Sequence, residues 1–84
     1  MQEFVDLSPE EIKIIELKIS LGRKLQALRK AKNLTQMEFA RKIKSSQSRV
    51  AKMESGDPSV SIDLMVRSFF ILGASQKELG KMVA

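Results

Sequence analysis

The segment QMEFARKIKSSQSRVAKME, residues 36–54, contains two short helical patterns joined by a polar turn. Thr35, just before the segment, is a candidate N-cap, and Glu38 three residues later completes the pattern of a capping box. The apolar residues that follow recur at helical spacing: Phe39, Ala40 and Ile43. We therefore predict a first short helix that begins after Thr35 and ends near Lys44.

The second pattern is a helix with a start signal and a stop signal. A serine, Ser45 or Ser46, provides the N-cap, and Gly56 followed by Pro58 predicts the end. On a helical wheel at about 100° per residue, one side carries the N-cap, the apolar residues and one carboxylate: Ser46, Val50, Met53 and Glu54. That side is expected to face the core, where a carboxylate needs a partner.

The opposite side of this second helix is polar and positively charged. Ser48 and Lys52 point away from the apolar side, Arg49 flanks them, and Gln47 lies in the first turn. Gln can pair with adenine, Ser is adaptable, and Lys and Arg can contact guanine or phosphate. The same composition is typical of any exposed helix surface, so the helix taken alone leaves both interpretations open.

A long helical region is predicted before this segment. Ser8 as N-cap, Pro9 at the first helical position and Glu11 in the capping box form a strong start signal. Apolar residues recur at helical spacing from there to about Lys32. Because Gly22 weakens a helix interior, the pattern leaves open whether this region is one helix or two.

Two further helices are predicted after the segment. The first runs from Ser61 or Ile62 to Leu72 and is followed by a glycine, and the second opens with Ser75 and Glu78 as a capping box. No stretch alternates apolar and polar residues over the length of a strand. The chain is therefore predicted to be all-α.

The chain length of 84 residues suits a single compact domain. We expect a five-helix unit over residues 21–84, preceded by residues 1–20 as an additional N-terminal helix or helix extension.

The composition excludes several classes of function. The chain contains no cysteine and no histidine, so it lacks a disulfide framework, the usual zinc ligands and the commonest general base. It also has no glycine-rich phosphate loop. We therefore predict a protein that is not an enzyme and needs no metal or cofactor. Because the N-terminus is acidic and no apolar stretch approaches ~20 residues, we expect a soluble cytoplasmic protein without membrane contact.

Positive charge is concentrated in the middle of the chain. The net charge of +5 is the sum of −3 in residues 1–20, +9 in residues 21–53 and −1 in residues 54–84. A basic middle third is expected of a nucleic-acid-binding domain. Ordinary solvated helix faces are the alternative that charge alone leaves open.

Residues 36–54 resemble the helix-turn-helix of the lambda-repressor-like (Xre/Cro) family of DNA-binding domains. The matching positions lie in both helices: Thr35, Gln36, Ala40, Ile43, Ser46, Val50, Met53, Glu54 and Gly56. The resemblance extends from about Leu21 to Leu72. It implies a compact lambda-repressor-like domain and a sequence-specific transcriptional repressor that regulates its own expression.

The resemblance also implies which residues contact double-stranded DNA. Gln36 is expected at a phosphate, and Gln47, Ser48 and Lys52 at base edges in the major groove. Arg49 is expected at a phosphate or a base, and Lys44 adds attraction to phosphates. The expected DNA-binding residues are Gln36, Lys44, Ser46, Gln47, Ser48, Arg49 and Lys52.

Two structural expectations accompany these roles. Arg29, four residues after Leu25 at the edge of the first apolar face, is the natural partner of Glu54, and the family implies the same salt bridge. Lys44 and Ser45 stand where the family usually has glycine and a β-branched apolar residue. Since a non-glycine residue at positive φ costs roughly 1 kcal/mol, we expect a turn that is less rigid or differently shaped.

The family usually binds DNA as a homodimer, so a dimer surface is expected. Apolar residues exceed the needs of one core face in residues 62–73 and in the N-terminal helix. Residues 46–75 are also similar to single-domain antitoxins, which bind a small toxin protein and repress their own operon. An antitoxin, and an interaction domain that has lost DNA binding, are the alternatives to a stand-alone repressor.

Overall fold

A computed structural model of the chain describes residues 7–74, 77, 80 and 81. This part contains no strand, and four of its helices have described bounds: α1 (Pro9–Ala31), α2 (Gln36–Lys42), α3 (Gln47–Ser55) and α4 (Ile62–Ile71). The all-α prediction is confirmed. Four helices are described with bounds where five were predicted, and Lys77, Gly80 and Lys81, where the last helix was predicted, are also helical. The start predicted for the last helix, Ser75 and Glu78, lies outside the described residues. None of the described helices has an apolar stretch long enough to cross a bilayer.

The first helix is continuous from Pro9 to Ala31, so the predicted N-terminal element is an extension of α1. Its capping box is formed: Glu11 N donates to Ser8 Oγ at 3.1 Å, and Ser8 N donates to Glu11 Oε1 at 2.8 Å. The helix passes through Gly22 without a break, and the absence of a side chain there lets α3 lie close against it. A Cβ atom on Gly22 would lie 2.4 Å from the carbonyl oxygen of Met53.

The core surrounds α3, which packs against both α1 and α2, while α4 packs against α1. Burying apolar side chains from all four helices stabilises this arrangement by roughly 25 cal/mol per Å² removed from water. Ala40 is buried, as a small residue between two close helices should be. The buried apolar residues are Leu21, Leu25, Phe39, Ala40, Ile43, Val50, Met53, Val60, Met65, Phe69 and Leu72.

Each described helix ends in the same hydrogen-bonded motif. A residue with positive φ follows the helix, and two backbone N–H groups donate back to carbonyls of the last turn, as in a Schellman motif. After α2, for example, Lys44 N donates to Arg41 O at 3.2 Å and Ser45 N to Ala40 O at 2.8 Å. The residues with positive φ are Asn33 (57°), Lys44 (56°), Gly56 (74°) and Gly73 (97°).

Candidate nucleic-acid interface

The third helix has one buried side and one exposed side. Val50 and Met53 are fully buried and Glu54 is 7% exposed, whereas the polar residues expected to contact bases face solvent: Gln47, Ser48, Arg49 and Lys52. Ser46 is the N-cap, and its hydroxyl accepts a hydrogen bond from Arg49 N at 3.1 Å. The wheel prediction of the two sides of this helix matches these exposures except at Ser46, which was placed on the core-facing side and is exposed.

Glu54 and Arg29, the pair predicted from the sequence, are in contact. Arg29 Nε donates to Glu54 Oε2 at 2.6 Å and Arg29 Nη2 donates to Glu54 Oε1 at 3.1 Å. A bidentate pair of this kind fixes both side chains in position. Arg29 Nη1 also donates to Leu34 O at 2.8 Å, so the same guanidinium joins α1, the turn after it and the end of α3.

Gln36, the first residue of α2, connects this buried pair to the exposed start of α3. Its Nε2 donates to Glu54 Oε1 at 3.1 Å, and its Oε1 accepts from Gln47 Nε2 at 3.5 Å. Gln36 is half-buried, so its amide is positioned by neighbours from α3 at both ends. The sequence analysis assigned Gln36 a phosphate contact and did not predict these hydrogen bonds.

A cleft beside α3 brings together hydroxyl and cationic side chains. It is lined by Ser46, Ser48, Arg49, Lys52, Ser59 and Val60. Four of these residues were expected at DNA, and none of the six is acidic. Hydroxyl and cationic groups arranged in this way suit an oxygen-rich anion such as a phosphate.

Ser59 is a residue of this cleft that the sequence analysis missed. It lies in the loop after α3, and its backbone N–H donates to Asp57 Oδ1 at 2.8 Å. Hydrogen bonds from the Ser59 hydroxyl and backbone hold the pKa of Asp57 below its usual range, with a smaller contribution from the positive charge of Lys52. The only sequence signal was a serine two residues after an aspartate, a common turn pattern that does not identify a site.

Lys44 lies in the turn between α2 and α3 and is exposed. Its φ of 56° lies in the left-handed region that favours glycine, the residue expected at this position from the resemblance. The turn therefore has the shape that a glycine would give it, although it contains Lys44 and Ser45. The positive side chain lies in sequence two residues before the N-cap of α3.

The exposed groups of this surface suit an anionic, hydrogen-bonding ligand. Its exposed groups are amides, hydroxyls and cations, which contact base edges and phosphates. Across the described residues, no group of three or more carboxylates lies close enough together to hold a metal ion.

Comparison with known proteins agrees with this geometry. Residues 20–81, which include α2, the turn and α3, match the sequence model of a protein family described as a helix-turn-helix domain. No significant match to the chain was found among curated proteins or among solved structures.

Proposed function

The chain belongs to the helix-turn-helix domain family, whose members bind DNA, and we propose that it is a sequence-specific transcriptional repressor of its own gene. It acts as a homodimer on double-stranded DNA and inserts α3 into the major groove. The observation that carries this proposal is that α3 has one buried side and one exposed side. Its apolar side is fully buried while Gln47, Ser48, Arg49 and Lys52 are exposed together.

The proposed contacts follow from where each side chain lies. Gln47, Ser48 and Lys52 reach base edges, and Arg49 reaches a base or a phosphate. Ser46 and Ser59 sit beside Arg49 in the cleft and receive a phosphate of the DNA backbone. Lys44 adds attraction to the backbone before α3.

Gln36 has two proposed roles: it orients Gln47 and it contacts a phosphate. Its hydrogen bond to Glu54 holds the amide in place, and its contact with Gln47 orients the glutamine that reads the base. Its position at the N-terminal end of α2 also suits the phosphate contact expected from the sequence.

The test is a gel-shift titration on the DNA upstream of the chain's own gene and on random DNA. Gln47→Ala should weaken specific binding by about 1–3 kcal/mol and leave random DNA nearly unchanged, because it removes a base contact. Lys44→Ala should weaken binding to both DNAs and reduce the slope of log affinity against log salt by about one.

Lys13→Ala is the matched control, since it removes one exposed positive charge from the acidic N-terminal part of α1. It should leave both affinities close to those of the wild type. Equal losses on specific and random DNA for Gln47→Ala would contradict the proposed base contact. Salt-sensitive smearing of the wild type on any DNA would indicate attraction by charge alone and an interaction domain without a specific operator.

An antitoxin is the second candidate function, and an exposed apolar patch at the end of α4 supports it. Phe70 and Ile71 are 44% and 41% exposed, although Met65 and Phe69 of the same helix are fully buried in the core. Exposed neighbouring apolar side chains suit a protein partner. Copurification of a basic protein of about a hundred residues from an adjacent gene, lost in Phe70→Glu, would support this candidate. A neighbouring gene whose product does not copurify would favour the stand-alone repressor.

A further inference from the structure

The N-terminal part of α1 extends past the rest of the domain. Leu21 and Leu25 are fully buried on the face of α1 that meets the core. Towards the N-terminus the same face passes through Leu17, which is half-buried, to Ile14, which is 46% exposed. All of residues 9–14 are exposed. We call residues 9–17 the overhang.

The loop after α3 contacts α1 directly beside the overhang, where Leu17 still packs against the edge of the core. Gly56 lies so close that a Cβ atom there would be 2.6 Å from Ile19 Cα, and Lys18 Nζ donates to Pro58 O at 2.9 Å. In the overhang, the face of α1 that packs against the core further along the helix is therefore exposed to solvent.

Charged residues are placed symmetrically about Ile14 on this face. Glu10 is four residues before it and Lys18 is four residues after it, so the three side chains follow one another along one side of the helix. Each charged group can take a further partner, although Lys18 also lies near the Asp57 carboxylate, whose pKa its positive charge helps to lower. Lys18 uses one of its three ammonium protons for Pro58, and Glu10 forms no ion pair within the described residues.

We propose that the overhang binds the overhang of a second copy of this chain, antiparallel, with a two-fold axis at Ile14. In that arrangement Ile14 meets its counterpart, and Glu10 of each copy lies opposite Lys18 of the other. Residue pairs whose numbers sum to 28 face each other, as an isologous contact requires. This contact would be the interface of the homodimer in the proposed function. The proposal rests on that function, because DNA binding as a dimer is what requires two copies.

Charge favours a second copy over the other molecules that could cover this face. DNA is repelled by the acidic first turn of α1, Glu10 and Glu11. A partner must therefore place a cation opposite Glu10, an apolar residue opposite Ile14 and an acid opposite Lys18. A second copy of the chain does this when its helix runs antiparallel, so no other partner is needed.

The experiment measures oligomeric state by sedimentation equilibrium on the full-length chain. The wild type should dimerise, and Ile14→Glu should raise the dimer dissociation constant about a hundredfold or more, because it places two carboxylates at the axis. Ile71→Glu is the comparison variant, since Ile71 is similarly exposed in the competing apolar surface at the end of α4 and its replacement should leave the dimer intact. Circular dichroism of Ile14→Glu and Ile71→Glu checks that each variant is folded.

A charge-exchange series tests the antiparallel register. Glu10→Lys and Lys18→Glu should each raise the dissociation constant roughly tenfold, since each places like charges opposite one another at two symmetric positions. The double variant should return it close to the wild-type value. A structural role of either residue within one copy would not produce this recovery.

Three results would overturn the proposal: a wild type that stays monomeric at all concentrations, a dimer that Ile71→Glu dissociates and Ile14→Glu does not, or a charge-exchange double variant no better than the singles. DNA binding is followed separately by gel shift. An Ile14→Glu monomer that still prefers its own upstream DNA at higher concentration shows that the DNA-binding function stands. A wild type that dimerises through this interface but binds no specific DNA would support the interface and refute the proposed function.

Discussion

Replacing Lys44 with glycine should make the protein more stable and a weaker DNA binder. Lys44 closes α2 at a φ of 56°, and two backbone hydrogen bonds, from Lys44 N to Arg41 O and from Ser45 N to Ala40 O, hold it there. Glycine adopts this conformation without steric opposition, and the lysine side chain is exposed. The substitution therefore removes strain without removing buried contacts.

The size of the effect follows from two opposing terms. The left-handed conformation costs an L-residue roughly 1–2 kcal/mol, and glycine loses about 0.5–1 kcal/mol more conformational freedom on folding. The net stabilisation by Lys44→Gly should be about 0.5–1 kcal/mol. For a chain of this size that corresponds to a rise in Tm of roughly 2–8 °C.

Thermal and urea unfolding followed by circular dichroism measure this effect, with two comparison variants. Lys44→Ala removes the same charge and keeps the Cβ atom, so it should not raise the Tm. Asn33→Gly makes the same change of backbone freedom at the end of α1, where asparagine already tolerates positive φ, so its gain should be smaller. Lys44→Gly no more stable than Lys44→Ala would refute the strain argument. On DNA, both Lys44 variants should show the same reduced salt dependence.

Two further substitutions test the packing that positions α3. Arg29→Ala should lower the free energy of unfolding by roughly 3–5 kcal/mol, because it leaves the Glu54 carboxylate buried without its partner; unchanged urea unfolding would show that the pair is not needed. Gly22→Ala should destabilise by roughly 1–3 kcal/mol although alanine is the better helix former, because the added methyl meets the α3 backbone. Gly80→Ala is its control, since a Cβ atom there meets open space, and equal unfolding curves for the two alanine variants would contradict the close approach.

The parts of the fold that the sequence predicted are those encoded by neighbouring residues. Ser8 and Thr35 were predicted as N-caps, and the cap of α3 was narrowed to Ser45 or Ser46, because a cap needs a side-chain oxygen three residues before the N–H it accepts. Ser8, Thr35 and Ser46 each accept that bond. The buried side of α3 was predicted because helical periodicity alone sets it. The end of α3 at Gly56 was likewise a local signal.

The parts that the sequence left open depend on atoms far apart in the chain. Gly22 left one helix or two open in the sequence, and what the sequence could not show is that the missing side chain makes room for the backbone of α3. Ser59 joined the cleft only because the loop after α3 returns towards Arg49. Ile14 had the spacing of a core residue, but α1 extends beyond the elements that could bury it.

Gln36 shows why the two kinds of information have to be combined. The sequence predicted that Glu54 is a buried acid and that Gln47 contacts a base, yet it gave no reason to connect the two residues. In the structure the Gln36 amide lies between the two, 3.1 Å from Glu54 Oε1 and 3.5 Å from Gln47 Nε2. The salt bridge that fixes the end of α3 therefore also positions its first residue, so loss of Arg29 should disturb recognition of DNA as well as stability.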